Sequence, residues 1–143
     1  MNLADGLVHT QFINNADNLW MIEMTRRCPG DLYAHLIELS TGYPYAEAYA
    51  SPFIGSALPE KQPDAERLIT RHTLYSRDVN NLWGVSFNRS VDIELLIPLR
   101  KCGDPLEKGV RGRSGLIFFR SQAPEGQDEL YEQLKMGDLY TIS

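Results

Sequence analysis

The chain has 143 residues, with 14 Lys and Arg against 19 Asp and Glu, three His and two Cys. That length fits one domain of ordinary size, and 43% hydrophobic with 23% charged residues is the balance of a globular protein, neither disordered nor fibrous. A net charge of −5 argues against a non-specific nucleic-acid binder, and Cys28 and Cys102 are too few and too far apart for a disulfide framework or a zinc site. No apolar run nears the ~18 residues of a membrane span. Met1 to Gly6 has neither the basic region nor the apolar core of a secretory signal, so the expected compartment is the cytoplasm. Ten of the 14 basic residues are Arg, the side chain suited to bidentate phosphate and carboxylate contacts, although helical and surface pairing produces the same bias.

Leu7 to Ile13 and Asn18 to Thr25 are apolar and β-branched enough for two strands, and Asn14 to Asp17 supply turn chemistry between them, so a hairpin is predicted. Asp31, after Pro29-Gly30, is placed to cap a helix running to about Ser40. Leu32, Leu36 and Leu39 recur there at helical spacing, and Gly42 is its stop. Pro44 opens a second short helix toward Ala50, with Pro52 obscuring its far end. The stretch Gly55 to Asp64 (GSALPEKQPD) is rich in Pro and Gly and reads as a linker or exposed loop. Beyond it, Arg67 to Ser76, Ser90 to Leu99 and Ser114 to Arg120 read as strands, with a loop at Lys101 to Gly109. A final helix is predicted over Glu125 to Lys135, followed by a short apolar tail, Leu139 to Ile142. The mixture predicts an α+β fold, an antiparallel sheet with flanking helices. Its expected organisation is residues 1–55, a linker at 56–64, and a segment at 65–143 packed on the first.

Side chains alternate faces along a strand, so His9 and Gln11 point one way. Leu19, Met21, Glu23 and Thr25 likewise share a face, with Arg27 joining them if the strand continues. A three-residue loop at Ala16, Asp17 and Asn18 pairs position 11 with 23 and position 9 with 25, whereas a loop of two or four residues sets Gln11 and Glu23 on opposite faces. In the first register an amide oxygen, a carboxylate, a hydroxyl and a guanidinium converge. The opposite face then carries Val8, Thr10, Phe12, Trp20, Ile22 and Met24 as a plausible core. Such a patch suits magnesium and phosphate, because magnesium takes one or two hard protein oxygens and completes its shell with phosphate and water. Arg27 would offset charge that develops during transfer. The same residues also read as a surface ion pair between Glu23 and Arg27 beside a solvated Gln11.

His9-Thr10-Gln11-Phe12, then Leu19-Trp20-Met21-Ile22-Glu23-Met24-Thr25-Arg26-Arg27, then Gly30-Asp31 and the helix closing at Thr41-Gly42 resemble the C-terminal part of the ATP-grasp fold, over roughly residues 6 to 55. In that superfamily one strand ends in a Glu or Gln that binds magnesium. The next strand carries a second Glu, an apolar residue, usually Asn, usually Pro, and an Arg. The resemblance implies that Gln11 and Glu23 are metal ligands and that Arg27 is the catalytic contact to phosphate or substrate carboxylate. Gln at the first position is like the carbamoyl-phosphate synthetase branch. His9 and Thr25, on the same face, are the candidate cofactor-binding residues, with a structural role for His9 left open. Thr25 stands where Asn is usual, and Arg26 where Pro is usual.

The same resemblance implies Mg2+ and ATP as cofactors and a carboxylate–amine ligase that phosphorylates a small carboxylate and passes the acyl phosphate to an amine. The lysines and glycine-rich loop that clamp the nucleotide in that fold are not matched, so the chain is expected to be a C-terminal fragment, inactive without its ATP-binding half. Residues 56–143 resemble the extra region that many such ligases append. The competing expectation is a non-catalytic interaction or regulatory module, able to self-associate through the exposed subdomain surface, with no nucleic-acid or membrane partner.

Other candidates have ordinary explanations beside the functional ones. Arg111-Gly112-Arg113-Ser114-Gly115 reads as an anion-binding loop or as a turn with solvated arginines. Arg71 could reach a substrate carboxylate or lie at the surface, while His72 is expected to be structural and His35 solvated. Cys28 precedes a helix start, a setting that lowers thiol pKa values, but no base is evident beside it. Tyr43, Tyr45, Tyr49 and Phe53 have near-helical spacing and are expected in core or interface packing.

Overall fold

The computed structural model describes residues 6–15, 17–60, 66–76 and 81–143. The described chain is α+β. Its elements run β1 (His9–Asn15), β2 (Asn18–Thr25), α1 (Tyr33–Thr41), α2 (Tyr45–Ile54), β3 (Leu68–Tyr75), β4 (Val85–Phe87), β5 (Ile93–Pro98), a 3-10 turn at Gly109–Arg111, β6 (Arg113–Ser121), α3 (Pro124–Met136) and β7 (Tyr140–Ile142). Every strand pairing is antiparallel. The chain divides into two compact units, Met1–Glu66 and Arg67–Ser143. Of the stretch read as a linker, 56–60 has no regular structure and 61–64 lie outside the described residues.

In the first unit, β1 and β2 form the predicted hairpin and α1 and α2 follow it. Asp31 does not cap α1. An N-cap residue needs extended backbone so that its side chain can fold back onto the first N–H groups, but Asp31 and Leu32 both take the left-handed conformation, at φ 56° and 58°. Leu32 therefore occupies the cap position with no side-chain bond, and the Tyr33 N–H is satisfied by the Gly30 carbonyl at 3.2 Å. Gly42 ends the helix as expected, left-handed at φ 68° and donating to the Glu38 carbonyl. The Glu38 side chain then caps the next helix, its Oε1 accepting the Ala46 N–H at 2.9 Å. α2 runs past Ala50 and through Pro52 to Ile54. Pro52 lies in the last turn, where its missing N–H removes a single bond, and left-handed Gly55, directly after Ile54, closes the helix by donating to the Ser51 carbonyl.

The hairpin is not a core element within this chain. Val8, Phe12, Trp20, Ile22 and Met24, expected to be buried, are all exposed. Apolar side chains on a two-stranded ribbon are covered only if another layer packs on them, and no such layer is present among the described residues.

In the second unit β6 is the centre of a sheet ordered β3-β6-β5. Its Leu116, Ile117, Phe118 and Phe119 are buried without alternation, as befits a strand covered on both faces. Leu74, Leu82, Leu106, Leu130, Leu139 and Ile142 close the core around Ile117 and Phe119. The apolar tail is a strand, β7, paired with β4. The Trp83 and Gly84 N–H groups, at 2.5 and 2.8 Å from the Ser143 carbonyl, anchor its end. β4 has three residues, too few to show a period in the sequence.

Candidate functional site

β1 and β2 pair with Gln11 opposite Glu23 and His9 opposite Thr25. The register is reached by a different route from the three-residue loop. Asn18 belongs to β2 and pairs with Asn15, so only two residues, 16 and 17, separate the strands, and Ala16 lies outside the described residues. A two-residue connection by itself would set Ile22 opposite Gln11. The ladder shifts between Gln11 and Phe12, where Phe12 faces Met21, so Ile22 is an extra, bulged residue. That bulge carries Glu23 onto the Gln11 face. It also reassigns the residues toward the turn: Trp20, opposite Ile13, shares the Gln11 face, while Leu19 and Met21 pair with Asn14 and Phe12 on the other.

β2 ends at Thr25, so Arg27 does not join the face by continuing the strand. A bend brings its Nη2 within 3.8 Å of Glu23 Oε1, with both side chains well exposed, while Nη1 donates to the Cys28 carbonyl at 3.2 Å. His9 Nδ1 is shut away from water and has no hydrogen-bond partner among the described residues. Gln11, Glu23, His9 and Thr25 are thus neighbours on one hairpin, with Arg27 just beyond its end and against Glu23.

The donor set consists of hard oxygens, one carboxylate and one amide, and among the described residues no group of three His, Cys, Asp or Glu forms a metal cluster. Such a pair fits magnesium held partly by phosphate oxygens and water, and does not fit a cation caged by protein alone.

Beside the hairpin lies a cleft of about 760 Å³ that reaches from Leu7, Val8 and Gln11 to the turn at Gly30, to Ile37 and to Tyr45. Tyr45 is buried, and its phenol pKa is raised, first by burial and then by the neighbouring Cys28. The sequence reading missed this cleft. The only local signal for it is Pro29-Gly30 breaking the chain just after the hairpin, since Ile37 and Tyr45 arrive from two separate helices.

The other candidates have structural places. His72 Nε2 lies 3.1 Å from the Tyr140 hydroxyl, which also accepts the Tyr75 N–H at 3.3 Å. Its pKa is lowered, mainly by burial and then by Arg71. In Arg111–Gly115, Arg113 to Gly115 belong to β6, and the Ser114 hydroxyl donates to the Leu74 carbonyl. A Cβ on Gly112 would stand 1.6 Å from the Glu107 carbonyl oxygen, so close backbone packing accounts for that glycine. Several arginines are engaged with carboxylates: Arg67 and Arg120 with Glu94 at 3.7 and 2.5 Å, and Arg89 with Glu129 at 2.6 Å. His35 lies 3.7 Å from Glu38. Of the aromatic group on and before α2, Tyr45 is buried, whereas Phe53 is exposed and touches Tyr49 with ring centroids 5.4 Å apart.

The chain shares its fold with part of two solved enzymes. Among solved structures, the chain is similar to phosphoribosylglycinamide synthetase from Anaerococcus prevotii, with a TM-score of 0.71 and 17% identity over 95% of this chain and 36% of that one. It is also similar to L-amino acid ligase from Bacillus licheniformis, with a TM-score of 0.73 and 16% identity over 99% of this chain and 37% of that one. At such identities the likeness is one of fold, and the chain spans little more than a third of the length of either enzyme. No protein-family model matches the chain, and no curated protein does. No helix among the described residues is long and apolar enough to cross a membrane.

Proposed function

We propose that this chain supplies the metal-holding portion of an ATP-grasp, magnesium-dependent carboxylate–amine ligase that works through an acyl phosphate in the cytoplasm. The observation that supports this reading most is the bulged hairpin, which sets Gln11 opposite Glu23 with Arg27 3.8 Å from Glu23. Residues 1–55 then correspond to the end of the catalytic fold and residues 65–143 to an appended segment. Glu23 and Gln11 offer oxygens to magnesium, and His9 and Thr25 flank them as contacts to the nucleotide. When bound, magnesium neutralises phosphate charge and orients the transferring group.

Arg27 is held by a long, exposed ion pair to Glu23, a kind worth about 0–1 kcal/mol, and by one exposed hydrogen bond from Nη1 to the Cys28 carbonyl. It can therefore swing onto a phosphoryl or carboxylate oxygen at little cost. In the reaction a substrate carboxylate oxygen takes the γ-phosphoryl group as ADP leaves, and an amine then displaces phosphate from the acyl phosphate. The nucleotide-clamping half of the fold is proposed to come from further polypeptide, so this chain by itself binds metal and phosphate but does not turn over.

The test uses Mn2+ with ADP added to the chain, read as paramagnetic broadening of amide signals. Gln11, Glu23 and Thr25 should broaden, and Glu23→Gln should restore sharp lines without changing the urea unfolding midpoint. Broadening elsewhere, or none, overturns the assignment. In a polypeptide carrying the remaining ligase fold, the same substitution should lower turnover by about 10²-fold or more.

A second reading, a non-catalytic module that binds a partner, is favoured by one observation: the apolar side chains of the hairpin are exposed.

A further inference from the structure

We infer that the cleft beside the hairpin receives the apolar side chain of the ligase's carboxylic-acid substrate and thereby selects small monocarboxylic acids bearing an aromatic or branched aliphatic group. This inference rests on the ligase reading for the word substrate, but its physical content is a binding preference of this chain.

Four observations carry it. The cleft, at about 760 Å³, lies within the range of about 300–1,000 Å³ typical of small-molecule sites. Its walls are mostly apolar, with Leu7, Val8, Tyr33, Ile37 and Tyr45 contributed by the hairpin's start and by both helices. His9 and Gln11 are also among the residues that line it, so the cleft borders the strand that carries one of the two oxygen donors. Finally, the turn that walls it is conformationally costly: Asp31 and Leu32 are consecutive non-glycine residues at φ 56° and 58°. Left-handed backbone at such residues persists where surrounding structure holds it, and it concentrates around binding sites.

The charge pattern narrows the ligand further. Asp31 is the only Asp, Glu, Lys or Arg side chain among the described residues lining the cleft. A second carboxylate on the substrate would lose hydration on entering this mostly apolar space. Dicarboxylic acids are therefore disfavoured, and acids with no side chain lose the apolar contact that holds them.

The inference is tested on the full 143-residue chain in buffer free of metal and nucleotide, by amide chemical-shift titration with 3-phenylpropionate, acetate and succinate. Saturable shifts should appear for 3-phenylpropionate at residues 8–11 and 30–37, with acetate and succinate at least tenfold weaker. Ile37→Trp, which fills the cleft, should abolish those shifts while the signals of residues 67–143 stay in place, and Leu7→Trp serves if that variant does not fold. The comparison among three acids needs no variant at all. Absence of saturable shifts at these residues, or equal binding of acetate or succinate, overturns the inference. Because no metal or ADP is present, its failure leaves the Mn2+ experiment on Glu23 unaffected, and loss of Mn2+ broadening with 3-phenylpropionate binding intact overturns the metal reading alone.

Discussion

Two histidines show how much a single side chain's surroundings decide. His72 sits half-buried on β3 with its Nε2 against the Tyr140 hydroxyl, and burial, helped by Arg71, lowers its pKa below the 6.5 of a free imidazole. Below that unfolded value the unfolded chain binds more protons than the folded one. The contribution to stability is therefore complete above about pH 6.5 and is lost as pH falls through the unfolded value toward the folded one. Urea midpoints measured at pH 7.5 and pH 5.5 should drop for the native chain and drop less for His72→Gln; equal drops would show that other groups set the slope. His9 poses a different question, because its Nδ1 is enclosed and, among the described residues, unpartnered. An orphaned N–H is rarer in folded proteins than an orphaned lone pair, so in the neutral ring the proton belongs on Nε2. Nitrogen chemical shifts of labelled His9 at pH 8 should report the Nε2–H tautomer, and a dominant Nδ1–H form would contradict the buried geometry. Period-2 alternation puts His9 with Gln11, but it sets Glu23 opposite Gln11 only under a three-residue loop that the hairpin does not have. What alternation could not show is the bulge at Ile22, since that residue is an ordinary strand former and nothing in its identity marks an extra position.

The elements are set by their ends as much as by their periodicity. α1 was legible from its leucines and from Gly42, but its start was not, because Pro29-Gly30-Asp31 has the composition of a capped helix start and a different backbone path. The left-handed pair Asp31–Leu32 gives up the cap, and the unit compensates elsewhere by using Glu38 to cap α2 from the neighbouring helix. Glu38→Ala should then destabilise the first unit by about 1 kcal/mol, the usual worth of a cap, with Glu38→Gln recovering most of it through its amide oxygen. Helix loss should be followed by hydrogen exchange at 45–48; unchanged protection there in Glu38→Ala would remove the carboxylate from the account of α2. In the second unit Gly112 is a constraint of another kind. Its φ of −86° suits any residue, so the requirement is space: a Cβ would overlap the Glu107 carbonyl oxygen at 1.6 Å. Gly112→Ala must push two backbone segments apart, and a loss of about 1–3 kcal/mol is expected from overpacking of this kind. A denaturation midpoint within error of the native chain would mean that the 107 carbonyl yields freely. The glycine was visible in the sequence beside Arg111 and Arg113, but its reason was not, since it lies in a contact with a loop that periodicity leaves unassigned.

At the scale of the whole molecule, the two units differ in how completely they bury what they carry. The second has a central strand enclosed on both faces and a core drawn from β3, β6, α3 and the tail strand, along with Leu82 and Leu106. The first presents Phe12, Ile13, Leu19, Trp20, Met21, Ile22 and Met24 to solvent on both faces of a two-stranded ribbon. A two-stranded hairpin is marginal without a third strand or a packed layer, so so much apolar surface argues for a covering element. The chain matches 36–37% of the length of the two enzymes whose fold it shares. The order of donors along one hairpin was legible because it is local, whereas the cleft and the β4–β7 ribbon depend on residues brought together from distant segments. One face of the hairpin reads as core from the sequence, which holds only where a covering layer packs on it. In its absence, a second copy of the hairpin is the nearest available cover. Sedimentation equilibrium should therefore give a mass that rises with concentration above the 16.2 kDa of one chain, and Leu19→Lys with Met21→Lys, both on the Phe12 face, should return it to the monomer. Those substitutions lie in the first unit and should leave the amide spectrum of residues 67–143 unchanged. A monomer at every soluble concentration would mean that the exposed face is tolerated in water without a covering layer.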